Sequence, residues 1–257
     1  MTDLARAEDV WTRLRAATPA RIGLGHVGGA LPTAAMLDLE RCHALARDAV
    51  HRPLDVGRAL ADLAPRAPII VESRAVGREA YLRRPDLGRR LSERSAALIA
   101  PAGADIAIVL ADGLSPLAAQ TQGPPLVARL EALLSDLRLA PLVVAVQARV
   151  ALGDEIGERL GAGFVIVLIG ERPGLTAYDS LGAYLTFAPH GGRRDSERNC
   201  VSNVRAGGLS TEEAAGRIAW LYRAAVRLKA TGTTLKDMSS ATPAVGFEPH
   251  VGRRPDV

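Results

Sequence analysis

Lysine is almost missing from this chain: Lys229 and Lys236 are the only two among 32 basic residues. The formal charge of +4 and pI near 9.5 therefore rest on arginines, and these are scattered among acids. No sustained basic run with interleaved aromatics occurs, so the pattern is that of a solvated surface rather than a nucleic-acid footprint. Arginine also suits planar, hydrogen-bonded interfaces, which leaves room for a protein partner. Aromatic residues make up only 4% against 48% hydrophobic residues overall, so the core must be built from Ala, Leu and Val. The two cysteines, Cys42 and Cys200, belong to no CxxC or Cys/His ligand spacing. Reduced thiols in a cytoplasmic protein are expected. The amino terminus lacks the h-region of a secretory signal, and no apolar run approaches bilayer length, which argues against secretion and against a membrane span. There is no Walker A loop, GxSxG elbow or HExxH, so hydrolase and phosphoryl-transfer chemistry have no anchor.

What is present is organised around FVIVLIGERPGL, residues 164–175. Phe164 to Ile169 is a continuous apolar run, as expected of a strand covered on both faces. It stops at Gly170 and delivers Glu171, Arg172 and Pro173 to the strand's carboxyl end, where open α/β sheets bind ligands. ADIAIVLA (104–111) and LVVAVQ (142–147) read as two more strands, separated by helices at 115–138 and 152–161, the alternation of a parallel sheet. Weaker strands are expected near Ala183 to Phe187 and Cys200 to Asn203. Ser210 with Glu213 forms a capping box opening a last helix, with Ala214, Ile218, Leu221, Tyr222 and Ala225 on its buried face.

Before residue 99 the pattern is helical: a first helix over 3–17, a glycine-rich loop from Thr18 to Pro32, a second helix from about Thr33 to His51, then mixed helix and loop through 53–98. On the second helix Leu39, Cys42, Ala46 and Ala49 form one stripe and Glu40, His43, Arg47 and His51 the opposite one. The expected fold is α/β: a helical amino-terminal region (1–98) followed by a Rossmann-like, mostly parallel sheet flanked by helices (99–237). The tail, 238–257, has no periodicity and is expected to be poorly ordered.

Gly23-Leu24-Gly25-His26-Val27-Gly28 satisfies GxGxxG literally, but no strand precedes it and Pro32 interrupts the helix that should follow. A loop allowing close approach of another chain or a cofactor fits it better than a dinucleotide site. His43 and His51 are two turns apart, too far to share a metal ion in the usual i, i+4 manner. Asp112-Gly113-Leu114-Ser115 and Gly170-Glu171-Arg172-Pro173-Gly174 each follow a strand directly. They read equally as the rim of a crevice or as ordinary turns, with Asp112 or Ser115 capping a helix. Arg198 to Asn203 packs five polar groups into six residues, too many for a plain core strand, and suggests a buried Cys200 thiol beside a ligand, with an inert core cysteine as the alternative.

At TPARIGLGHVGGALPT, ARDAVH, ADGLSP, QARVALGDEIG, GERPGL with DSLGAYLT, RNCVSN and TGTTLKD, the sequence resembles the small (light) subunit of ethanolamine ammonia-lyase, an adenosylcobalamin-dependent enzyme. These blocks run in order over about residues 18–237. The resemblance implies a heteromer in which a larger TIM-barrel subunit holds ethanolamine and the radical chemistry, while the small subunit closes over the corrinoid at the interface. The complex would release acetaldehyde and ammonia. Cofactor contacts carry over to Val150 in QARVALGDEIG, Glu171 in GERPGL and Cys200 in RNCVSN, and the catalytic residues fall mainly on the large subunit. The chain has no DxHxxG motif, Leu24 standing where the Asp before His26 would be, so the resemblance implies cobalamin that keeps its own benzimidazole on cobalt. The location implied is the cytoplasm, with enclosure in a bacterial microcompartment as a variant of it. Two other readings compete: a stand-alone Rossmann-like nucleotide-dependent enzyme and a scaffold of a microcompartment.

Overall fold

The computed structural model describes residues 10–18 and 20–239. Its centre is a six-stranded sheet: β1 (Ile69–Glu72), β2 (Ala107–Ala111), β3 (Val143–Val146), β4 (Phe164–Gly170), β5 (Leu181–Phe187) and β6 (Asn199–Val204), in the order β1-β3-β2-β4-β5-β6. The first four strands run parallel. β5 is antiparallel to β4, and β6 to β5. Gly170 at the end of β4 pairs with Leu181 at the start of β5, and Leu181 with Val204 at the end of β6. One sheet edge therefore gathers the carboxyl ends of β1 to β4 and β6. The sheet is thus α/β and mostly parallel, as the alternation predicts.

Every residue of β2 and β4 is buried, because helices cover both faces. On one face α6 (Pro116–Leu133) and α8 (Thr211–Leu228) pack Leu126, Leu130, Ile218 and Leu221 against Ile108, Leu110, Ile166 and Leu168. Phe164 and Tyr222 meet there edge to face, with ring centroids 5.0 Å apart, the arrangement the ring quadrupoles favour. On the other face α7 (Leu152–Leu160) packs Ile156 and Leu160 against Val109, Val165 and Val167. Alternate residues of one strand thus feed two separate cores.

Local signals set the helix ends. Ser115 caps α6, its Oγ accepting from the Ala118 N–H at 3.2 Å, with Pro116 in the first turn. α6 runs on through Pro124 and Pro125 and stops at Leu133, short of the expected 138. The capping box at Ser210 and Glu213 forms as predicted, and the five residues expected on the buried face of α8 are buried.

Before the sheet, residues 10–16 are helical (α1) and Ala17 is a turn, while residues 3–9 of the helix expected over 3–17 lie outside the described residues. α2 (Thr33–His51) buries Cys42 and Ala49 and exposes Glu40, His43, Arg47 and His51, as its two stripes predict. α3 (Val56–Leu63), α4 (Gly77–Arg83) and α5 (Glu93–Leu98) follow. The stretch expected as mixed helix and loop also contains β1, whose pairing with β3 makes residues 69–72 part of the same sheet. Only three apolar residues, Ile69 to Val71, precede Glu72, too few for a strand pattern to stand out before the partner strand is known. Of the tail expected from 238, the part from Ser240 onward lies outside the described residues.

Candidate binding site at the carboxyl edge of the sheet

The exits of β2 and β4 touch. Leu114 N–H donates to Gly170 O at 2.9 Å, and a Cβ on Gly170 would stand 2.0 Å from Ser115 O. Gly113, at φ +57°, is as tightly placed, since its Cβ would meet Gly170 O at 2.2 Å. Glycine at both positions lets the two turns lie against each other, with no side chain between. Neither is a free loop.

Asp112 does not cap α6. Its carboxylate is wholly buried and accepts from Gln147 N–H at 2.8 Å and Ala148 N–H at 2.9 Å. Arg78 from α4 lies against it, Nη1 at 3.4 Å from Oδ2, and donates to Gly113 O at 2.8 Å. Burial pushes the Asp112 carboxyl up to about 6, against the pull of the Ala148 N–H, Arg78 and the Gln147 N–H. Burial likewise pulls Arg78 below its ordinary value, although Asp112 holds it up. For this pair desolvation outweighs attraction on both partners. Its function is positional: Gln147 sits at φ +56°, a region costly for a residue with a Cβ, and Asp112 holds it there. Tyr81 Oη donates to Ala148 O at 2.9 Å, and Arg149 N–H donates to Gly88 O at 2.9 Å. The backbone leading to Val150 is bonded at three successive residues.

Beyond these turns opens a cavity of ≈ 490 Å³ whose walls include Tyr81, Arg149, Val150, Glu171, Arg172 and Tyr184. Glu171 is held by the Ser180 hydroxyl and by Asn203 N–H at 3.2 Å, both on Oε2. Gly182 makes this possible, because a Cβ there would lie 2.7 Å from Glu171 Oε1. Burial raises the phenols of Tyr81 and Tyr184 well above their usual range, so both stay neutral.

Two of the three expected contact residues, Val150 and Glu171, therefore line one cavity. Cys200 does not line it, but pairs across the ladder with Tyr184, which does. Laterally paired residues point to the same sheet face, and Tyr184 packs with Val165 and Val167 on the α7 side. Cys200 thus stands on the cavity's face of the sheet, one strand further out. Cys200 is exposed as a residue rather than buried, correcting the sequence expectation, although its surroundings still desolvate the thiol enough to raise it above its ordinary value. β6 is an edge strand with only Val201 and Val204 buried, which accounts for its polar density without a buried cysteine.

The family of the ethanolamine ammonia-lyase light chain matches residues 8–236. The ethanolamine ammonia-lyase small subunit of Bradyrhizobium diazoefficiens is 54% identical over 235 residues, covering 88% of this chain and 90% of that one. The small subunit of Pseudomonas syringae pv. tomato is 49% identical, covering 91% and 85%, and that of Pseudomonas paraeruginosa 47%, covering 96% and 94%. The chain belongs to the ethanolamine ammonia-lyase light-chain family. The matched stretch contains all six strands and Val150, Glu171 and Cys200.

In this light chain the GxGxxG loop is no part of the cavity. Gly23 packs against Trp11, with 2.5 Å between its Cβ position and the indole, and residues 25–30 are exposed. His43 and His51 are exposed, and among the described residues no group of three or more His, Cys, Asp or Glu could hold a metal ion. No helix among them is long and apolar enough to cross a membrane. Sequence reasoning missed Arg78, Tyr81, Arg149 and Tyr184. One signal was available: in a chain with only four tyrosines, Tyr81 falls within the charged run GREAYLRR, an uneconomical place for an aromatic ring unless it is buried.

Proposed function

We propose that this light chain forms one wall of an adenosylcobalamin site, completed by a large TIM-barrel subunit, in a complex that converts ethanolamine to acetaldehyde and ammonia. The observation that carries this reading is the convergence of Val150, Glu171 and, through Tyr184, Cys200 on one open face of the sheet. A cavity of ≈ 490 Å³ suits a drug-sized molecule. A corrinoid is far larger, so this face can only be part of its enclosure.

The residues present fit such a ligand. A corrinoid is apolar across its ring and rimmed by neutral amide arms that donate and accept hydrogen bonds. Glu171 Oε2 is occupied by Ser180 and Asn203, which fixes the carboxylate and leaves Oε1 to accept from an amide N–H. Val150 offers apolar contact, and Cys200 stands exposed for contact further along the sheet. Adenosylcobalamin supplies the radical chemistry when bound. This chain's part is to grip it, fix its orientation and keep water away from the shared face.

Co-expression with a large subunit should give cofactor-dependent aldehyde release that the light chain by itself lacks. Turnover by the isolated chain would instead support a stand-alone enzyme. Assembly without cobalamin retention would support a scaffold. Glu171→Ala should weaken cobalamin binding in the assembled enzyme by about 1–3 kcal/mol, the cost of a buried hydrogen bond left unmade. Unchanged affinity would remove Glu171 from the site.

A further inference from the structure

The cavity contains a second polar group that nothing so far accounts for. Arg149, next to Val150 in the chain, lies over the Tyr81 ring, its guanidinium carbon 4.3 Å from the ring centroid, and lines the same cavity. Nη2 donates to Tyr81 O at 3.2 Å, while Nε is buried with no partner among the described residues, and Nη1 makes no hydrogen bond among them. Nε is closed off from the cavity, so the donor that faces it without an acceptor is Nη1, and such a donor requires an explanation. Flexibility does not supply one, because the stem is wedged: a Cβ on Gly88 would come within 2.9 Å of Arg149 Cγ and 3.0 Å of the Tyr81 ring. Tyr81 is itself fully buried and bonded to Ala148 O. The guanidinium is thus held in one orientation before any ligand arrives, so little side-chain entropy remains to be lost on binding. Arg172, the other cation of the cavity, is exposed on its loop and has no such support.

The ligand chemistry follows from what the rest of the cavity lacks. A primary amide has two N–H donors and a carbonyl acceptor. Glu171 can satisfy only the donors, and a carbonyl buried without a partner carries its own desolvation cost. We propose that Arg149 is a further cofactor contact, donating to a carbonyl oxygen of one of the corrinoid's amide arms and complementing Glu171, which accepts from an amide N–H. Tyr81 and Gly88 are positioning residues for it. This inference rests on the cobalamin reading above, and its test separates the two.

The measurement is equilibrium binding of cyanocobalamin to the assembled complex, followed by the corrin absorbance without turnover. If the wild-type complex does not bind, the cobalamin reading fails, and Arg149 with it. If the wild type binds, Arg149→Gln should bind about tenfold to a hundredfold more weakly, as expected for loss of a charge-assisted hydrogen bond. Equal affinity in an assembled variant overturns the proposal while leaving the cobalamin reading intact. Should Arg149→Gln fail to assemble, wild-type protein decides the question through corrinoids in which one amide arm is hydrolysed to a carboxylate. A carboxylate opposite Arg149 gains an ion pair, and one opposite Glu171 meets a like charge. At least one such isomer should bind as tightly as the parent or more tightly, and a loss of affinity for every isomer overturns the proposal.

Discussion

Asp112→Asn tests the positioning network most directly. The wild-type carboxylate accepts from two buried N–H groups, at Gln147 and Ala148, and faces the nearly buried Arg78. An asparagine amide keeps one carbonyl oxygen for one N–H and turns an NH₂ donor toward the other, which costs about 1–3 kcal/mol. Removing the counter-charge also takes away Arg78's partner, but that loss is already contained in the net rise of the carboxyl, which Arg78 opposes. The variant is also relieved of keeping an ionised carboxylate buried. A rise from the ordinary 3.8 to about 6 corresponds to about 3 kcal/mol at neutral pH. At pH 7 the relief of about 3 kcal/mol therefore offsets the misplaced donor, about 1–3 kcal/mol, and the variant should be as stable as the wild type or slightly more stable. The pH dependence carries the sharper information. Because the folded-state carboxyl lies above its unfolded value, the folded chain holds more protons between about 4 and 6. This group's contribution to stability is therefore fullest below 3.8 and declines as pH climbs through that window. The variant has no such decline, so the gap, taken as wild type minus variant, should fall from pH 4.5 to pH 7. Urea unfolding of both chains at the two pH values measures it. A gap that stays constant or rises would show that Asp112 is not held in the buried, proton-favouring environment described.

Arg198, whose side chain is 2% exposed, pairs with the 1% exposed Asp154 and also donates to Thr186 Oγ1 at 3.1 Å, tying α7 to β5 and β6. Arg198→Ala should cost about 3–5 kcal/mol by stranding Asp154, and the double change Arg198→Met with Asp154→Leu should recover much of it in denaturant melts. Gly170→Ala places a methyl group 2.0 Å from Ser115 O, against backbone that cannot yield. Its melting temperature should fall further than that of Gly216→Ala, where a Cβ meets nothing within 4 Å. Ser210→Ala removes the capping bond to Glu213 N–H and should destabilise by about 1 kcal/mol, read from the same melts.

Much of the architecture is legible in the amino-acid sequence, and for a definite reason. β2, β3 and β4 declare themselves as unbroken apolar runs because both faces of a central parallel strand are buried. The start of α8 is written in two residues three apart, since a capping box is a local transaction. The two stripes of α2 follow from helical spacing alone. Glu171 and Val150 could be placed at strand ends because the chain must leave the sheet there whatever its neighbours do.

What the sequence could not decide is what depends on partners remote in the chain. β1 is too short to be read without β3 beside it. Asp112 reads equally as part of a crevice rim or of a turn, with it or Ser115 capping a helix, until the fold brings Gln147 N–H, 35 positions away, within 2.8 Å of its carboxylate. Tyr81 and Arg149 became part of one site only when α4 settled beneath the exit of β3, 67 positions on, at Ala148. Cys200 was expected to be buried, and its exposure was settled by β6 being the last strand, with no further strand beyond it. Composition and periodicity determine which segments become strands and helices, because burial of a repeating apolar face is a property of the segment. Which polar groups meet at the sheet's rim is a property of strand order, and that exists only in the folded molecule.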